Sequence, residues 1–274
     1  MKTAVIINGV TGAIGSAALA RFTREKDTVV YGLSRQALPF PVFTTDGMLP
    51  ARTLVCSMGD SIDEGACAAF VSSLPIVSFN RIIYVHAVGV YPFELDSAGR
   101  IVISNDENGD GVDDRVTKLS HDAFFAMTDS LARVGVITDA FILGGIADKY
   151  RPAVHTSWWK TMERVKHDMQ ERVASGSDVS FHVLNISSVI CPHELLSRPY
   201  VFQDTNADPR FWLTPDEVAR EVVSSLGISK DGAYTEQDLF HPSDYYYKDY
   251  FVDEHFTERK VAELGLRRRY TSKY

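Results

Sequence analysis

Apolar positions along this chain of 274 residues fall into two alternating patterns. Six short runs rich in β-branched residues are apolar on consecutive positions: TAVIIN (3–8), TVVYGL (28–33), RTLVC (52–56), RIIYVH (81–86), VGVITDAFIL (134–143) and VSFHVLNI (179–186). Such continuity is expected of strands covered on both faces. Between and after them lie stretches of helical period at 14–25, 62–73, 119–133, 157–174 and 215–226. The last opens with Thr214, Pro215, Asp216 and Glu217, which supply an N-cap, a proline at the first helical position and acids in the first turn. Strand and helix in alternation predict βαβ units. They therefore predict a parallel, doubly wound α/β sheet with helices on both faces, because a parallel crossover needs a long connection that a helix supplies. Two regions interrupt the alternation, a polar connection at 90–117 and an aromatic-rich, charged tail at 228–274.

No Pro/Gly/Ser-rich linker or shift of composition divides the chain, so a single domain over 1–227 is expected, carrying the 90–117 insertion and followed by a C-terminal extension at 228–274. The formal net charge of −8 argues against a nucleic-acid or membrane-surface protein, since either needs a concentrated basic face. Its one basic run, Arg267 to Arg269, reads as a solvated tail or a partner contact. Cys56, Cys67 and Cys191 lack metal-ligand or redox-pair spacing and read as buried thiols in a reducing compartment. The N-terminus passes from one lysine straight into a strand, unlike a signal peptide, and no apolar stretch approaches a membrane span. A cytoplasmic protein is the expectation.

The stretch INGVTGAIGSAALARF (6–21) places Gly9, Gly12 and Gly15 between the first strand and the first helix. A tight turn, close approach of backbone to a pyrophosphate and tight helix-on-strand packing each favour glycine, and the helix N-terminus offers unpaired N–H groups to the phosphate. The pattern predicts a dinucleotide site at Gly9, Thr11, Gly12, Ala13, Ile14 and Gly15. At the end of the second strand an acid would hold the ribose hydroxyls of NAD, whereas Ser34 and Arg35 stand here and favour the 2′-phosphate of NADP(H). Asp60 is a candidate for the adenine edge, or else a helix cap.

The chain resembles the short-chain dehydrogenases/reductases over most of residues 3–226. NGVTGAIG is similar to the glycine fingerprint of the extended and atypical members, with Asn8 where threonine is usual; VYGLSR resembles their NADP-selecting segment, and YVHAVG their strand-four segment, which implicates His86, Ala87 and Gly89. The resemblance implies a Rossmann-type fold and an oxidoreductase passing hydride between NADP(H) and a carbonyl, imine or activated alkene. It implies too a homodimer or homotetramer acting on a small molecule. In that family a tyrosine handles the proton, a lysine four residues later holds the nicotinamide ribose, and a serine about a dozen residues upstream orients the substrate oxygen. Here Lys160 stands at the lysine position, Thr156 at the tyrosine position, and Gly144 or Gly145 at the serine position. Ser187 and Ser188 replace the family's proline-glycine segment, with Val189 as the nicotinamide-binding valine. His155 and Tyr150 are the neighbouring candidates for proton transfer, since either titrates usefully in the right surroundings. Trp158 and Trp159 read as packing residues. Two other readings stay open: a protein that binds NADP without turnover, as a sensor or pathway partner, and a cofactor-assisted isomerase or epimerase.

Two stretches remain. DENGDGVDD (106–114) sets Asp106, Asn108, Asp110 and Asp114 at alternate positions around Gly111, as in a calcium loop, although Thr117 replaces the bidentate glutamate. It reads equally as an Asx-rich turn that needs no Ca2+. In the tail, Tyr245, Tyr246, Tyr247, Tyr250 and Phe251 are expected to cover the substrate cleft or form a subunit interface.

Overall fold

The computed structural model describes residues 2–34, 43–44, 47–48, 53–57, 63–89, 94–95, 101–102, 106–145, 148, 151, 156–187, 189, 213–226 and 232–239. Seven strands, β1 (Thr3–Asn8), β2 (Thr28–Ser34), β3 (Thr53–Ser57), β4 (Arg81–His86), β5 (Ile137–Gly145), β6 (Val179–Ile186) and β7 (Tyr234–Leu239), form one sheet in the order β7-β6-β5-β4-β1-β2-β3. Every pairing in it is parallel. The order reverses between β1 and β4, and in an open α/β sheet the crevice outside the carboxyl ends of the strands at such a reversal is where ligands bind.

The helices are α1 (Ala13–Phe22), α2 (Glu64–Ser73), α3 (residues 114–132), α4 (Thr156–Ala174) and α5 (Pro215–Ser225). One sheet face packs on α2, α3 and α4 through Tyr84, Phe124, Trp158, Met162 and Phe181, and the other on α1 and α5 through Ile7, Leu19, Phe22, Val218 and Val222. Burial on both faces is why the strand sequences are continuously apolar. The start of α5 is a capping box: the Glu217 amide donates to Thr214 Oγ1 at 3.2 Å, and the Thr214 amide donates to Glu217 Oε2 at 2.7 Å. Gly135, at φ 67°, closes α3, so the fifth strand begins at Ile137, three residues later than its sequence pattern suggests.

Helix α3 is interrupted. A turn at Asp114–Val116 leads into a π-helical segment, Thr117–Asp122, before regular α-helix resumes at Ala123–Ala132. The helix thus starts five residues before the expected 119. The expected boundary at 227 also needs correction, because Tyr234–Leu239, from the stretch assigned to the extension, pairs with β6 from Phe181↔Tyr234 to Ile186↔Leu239. Its alternating polar residues hid it: YTEQDL covers the sheet on one flank only, so it lacks the apolar continuity of the inner strands. The aromatic cluster from Tyr245 to Phe251 lies outside the described residues, as do Cys191 and the arginine run. Among the described residues, no helix is long and apolar enough to cross a membrane. Cys67 is a buried free thiol, pushed up to about 11 by burial and by the nearby Asp63.

Candidate cofactor and active site

The turn between β1 and α1 is fixed by contacts that only glycine permits. Gly9 adopts φ 83°, and a Cβ there would lie 2.8 Å from the Ala87 carbonyl oxygen. A Cβ on Gly15 would fall 2.2 Å from the Gly9 carbonyl oxygen. The Gly9 and Val10 amides both donate to the Leu33 carbonyl, at 3.1 and 3.2 Å, which ties the turn to the end of β2.

Helix α1 begins differently from its neighbours. Its N-cap is Gly12, with no side-chain hydrogen bond to the cap and no acid in the first turn. By contrast Asp63 caps α2, Asp113 caps the first turn of α3 and Thr214 caps α5. The first amides of α1 have no intrahelical acceptor, and the helix dipole makes that end positive. Thr11 and Gly12 are exposed there, while Ala13 and Ile14 are half-buried. An open, neutral, glycine-lined helix start accepts a phosphate group without displacing any cap. The residues present therefore fit the pyrophosphate of a dinucleotide.

Around this turn, Ser34 ends β2 and is buried, whereas Arg35 and Asp60 lie outside the described residues. The segment after β4 runs beside the glycines: the Ala87 amide donates to the Asn8 carbonyl at 2.9 Å, Ala87 is half-buried and Gly89 is exposed. His86 needs correction as a cofactor contact. Its imidazole is fully buried, Nε2–H donates to the Leu119 carbonyl of the π-helical segment at 2.8 Å, and Nδ1 accepts from Tyr84 Oη at 2.8 Å and Asn8 Nδ2 at 3.3 Å. Both ring nitrogens are engaged inside the protein. Burial pulls its pKa down to about 4, against a smaller opposing effect of the Leu119 carbonyl, so the ring is neutral near pH 7. Asn8, buried beside it, belongs to the same internal network.

At the other side of the crevice, Thr156 opens α4 and Lys160 lies one turn further on. Lys160 Nζ donates to the Asp110 carbonyl at 3.0 Å, so the candidate ribose ligand is tied to the acidic loop. That loop closes on itself. Asp106 accepts from the Asp110 and Gly111 amides at 3.0 and 2.9 Å, Asp110 accepts from the Val112 amide at 2.9 Å, and Asp114 accepts from the Glu107 amide and Asn108 Nδ2 at 2.8 and 3.1 Å. These carboxylates are engaged by the loop's own donors, and the Ca2+ expectation is not supported. Among the described residues, the ligand-type atoms that cluster are those of His167, Asp168 and Glu171, on the α4 surface and away from the loop. Val189 makes a parallel bridge with Leu213, and Ser187 is buried, its amide donating to the Leu239 carbonyl at 3.2 Å. Trp158 is buried in the core as expected of a packing residue, and Trp159 is half-buried with Arg151 over its ring. Tyr150, His155 and Ser188 lie outside the described residues.

Near the carboxyl ends of β5 and β6 the structure assembles a polar cluster that spacing did not reveal. Gly144, Asn185 and Asp238 occupy one row across β5, β6 and β7. Lys166, from α4, lies 3.2 Å from Asp148 Oδ2, 3.2 Å from Asn185 Oδ1 and 2.7 Å from Glu236 Oε1. Asn185 Nδ2 donates to Glu236 at 2.8 Å and to Asp238 at 2.9 Å, and Tyr234 Oη donates to Glu236 Oε2 at 2.9 Å. Burial alone would raise the Glu236 carboxyl, but Lys166, Asn185 and Tyr234 more than offset it and hold that group below its ordinary range. Asp148 behaves oppositely. Burial pushes it up to about 6, only partly opposed by Lys166, the Gly145 amide and Trp158. The available sequence signal was the pair Glu236 and Asp238, two apart in a short run and hence on one strand face, opposite Asn185.

No protein-family model and no curated protein matches the sequence. Solved structures do match. A short-chain dehydrogenase/reductase described as glucose/ribitol dehydrogenase from Brucella melitensis superposes with a TM-score of 0.64 at 14% identity, over 87% of this chain and 98% of that one. Serine dehydrogenase complexed with NADP+ gives 0.62 at 16% identity, over 86% and 94%. The NADH-dependent reductase A1-R′, responsible for alginate metabolism, gives 0.59 at 16% identity, over 86% and 96%. This chain has the short-chain dehydrogenase/reductase fold. Within that fold, the glycine turn joins β1 to α1, and Lys160 lies on α4 after β5.

Proposed function

We propose that the protein is an NADP(H)-dependent oxidoreductase of the short-chain type, acting on a small molecule that carries a carbonyl, imine or activated alkene. The observation that carries this reading is the uncapped start of α1, with Gly15 packed so closely on Gly9, and Gly9 on Ala87, that neither glycine has room for a side chain. In this reading the first amides of α1 bind the pyrophosphate, with Thr11, Ala13 and Ile14 lining the turn that Gly9, Gly12 and Gly15 shape. Ser34 and Arg35 hold the adenosine phosphate, Ala87 and Gly89 flank the adenosine, Lys160 reaches the nicotinamide ribose, and Val189 packs on the nicotinamide. The bound cofactor supplies hydride chemistry; the chain supplies position, exclusion of water and a proton. Solved structures of this fold include one complexed with NADP+ and one described as NADH-dependent, so the preference for NADP(H) rests on Ser34 and Arg35.

Titration of NADPH and NADH, followed by nicotinamide fluorescence, tests the assignment. NADPH is expected to bind the more tightly, and Arg35→Ala to weaken NADPH by roughly tenfold or more while sparing NADH, since only the 2′-phosphate loses a charge-assisted partner. Equal weakening of both refutes the role of Arg35, and no binding of either cofactor refutes the reading as a whole. A second reading, cofactor binding without turnover, is favoured by Gly144 and Thr156 standing where the resemblance implies serine and tyrosine. Consumption of NADPH on a panel of small aldehydes and ketones separates the two.

A further inference from the structure

The described residues hold one carboxyl group whose surroundings suit a proton donor. Asp148 follows the carboxyl end of β5, beside the crevice, and its side chain is only 5% exposed. Its two oxygens are not equivalent. Oδ2 faces Lys166 Nζ at 3.2 Å and the Gly145 amide at 3.4 Å, whereas Oδ1 is buried with no hydrogen-bond partner among the described residues. A buried polar atom without a partner costs stability and calls for a reason, of which a role in chemistry is one.

The glycine at 144 supplies a second, independent observation. A Cβ there would sit 2.9 Å from Asp148 Oδ2 and 2.3 Å from Asn185 Oδ1. The space that any side chain at 144 would fill is thus taken by the Asp148 carboxyl and the amide that Lys166 also binds. Glycine at this position is a requirement of the cluster, and the group presented at the end of β5 is a carboxyl arriving from four residues downstream.

We propose that Asp148 is the proton-transferring residue of this site, with Lys166 as the positioning residue that fixes Oδ2 and leaves Oδ1 to carry the proton. The inference rests on the NADP(H) reading above. In the reducing direction a carbonyl oxygen of the substrate takes the proton as the Oδ1–H bond breaks, the carbonyl carbon takes hydride from reduced nicotinamide, and the products are the alcohol, the oxidised cofactor and the Asp148 carboxylate. Water then returns a proton to the carboxylate. Among the described residues, the groups facing Asp148 are Lys166 and Trp158 from α4, the Gly145 amide from β5 and Asn185 from β6, with Glu236 and Tyr234 of β7 beyond Lys166. Among them they leave the acid form populated up to about pH 6. A general acid poised near the working pH is the efficient arrangement.

The test has a readout that needs no substrate. In protein labelled with 13C at aspartate carboxyls, one resonance is expected to titrate near 6 and to vanish in Asp148→Asn. All aspartates titrating below about 5 overturns the proposal. With NADPH and an aldehyde that the wild type reduces, Asp148→Asn is expected to lower kcat by roughly a hundredfold or more, to leave NADPH affinity within about twofold, and to abolish the fall in rate above pH 6. Turnover within twofold of wild type with an unchanged pH profile overturns it. Failure of wild type to bind NADPH sinks the functional reading instead, and the carboxyl titration then still judges Asp148.

Discussion

The two sides of the crevice are built on different principles. On the β1–α1 side the groups offered to a ligand are backbone amides, and the side chains serve only by being absent: Ala87 and the Gly9 carbonyl leave no room for a Cβ at Gly9 or Gly15, and one at Gly12 would press on the Gly9 carbonyl oxygen at 3.3 Å. On the β5–α4 side the reactive groups are side chains, held by Lys166, Asn185 and Glu236 from three separate elements. A backbone site has few solutions, so it keeps a spacing. A side-chain site can be rebuilt from any element that reaches it, and its parts here are spread over nearly ninety positions, from Asp148 to Glu236.

The contrast can be broken at its strongest point first. Gly15→Ala puts a methyl group against the Gly9 carbonyl oxygen, a backbone atom with nowhere to go. We expect a loss of roughly 3 kcal/mol in unfolding free energy, and about a hundredfold weaker NADPH binding if the protein survives. Near-normal binding would mean that the turn does not hold the cofactor. Next, Gly144→Ser is expected to cost roughly 1–3 kcal/mol in denaturant unfolding and to restore no activity, because the new Cβ collides with Asn185 and Asp148. A gain of turnover would show that the serine position was merely vacant.

A smaller effect sharpens the other side. Because the Asp148 carboxyl is raised from its ordinary value to about 6, its folded form binds a proton more tightly than the unfolded chain does. Its contribution to stability is full below about pH 4 and is lost as pH rises through 6. Wild type measured against Asp148→Asn should therefore lose up to roughly 3 kcal/mol between pH 4 and pH 7 in urea unfolding, an upper bound set by the size of the pKa change. A flat difference would place the carboxyl in ordinary solvent.

How much of this was legible follows the same division. Six strands and five helices could be read because burial on both faces makes inner strands apolar throughout and amphipathic helices periodic. The seventh strand was missed because its outward residues bind Lys166 and Asn185 instead of packing, which made Glu236 and Asp238 look like tail. The glycine turn was legible for its spacing. His86 was misplaced because position alone does not say on which side of the strand an imidazole turns, and here it turns toward Leu119. Asp148 carried no signal, since nothing in the sequence says that a carboxyl four residues after Gly144 folds back over it. In the acidic loop alternate oxygens suggested a cation, yet the same oxygens satisfy the loop's own amides.

The widened turn at Thr117–Asp122 has a consequence for how this protein tolerates length changes. Each residue of a regular helix rotates the next by about 100°, so removing one residue from the widened turn would relax it to ordinary pitch and swing Asp114–Val116 round relative to Ala123–Ala132. The Leu119 oxygen would leave the imidazole it serves, and the carbonyl that anchors Lys160 would be carried off with the loop. Single-residue shortening there should therefore be felt at two distant places at once.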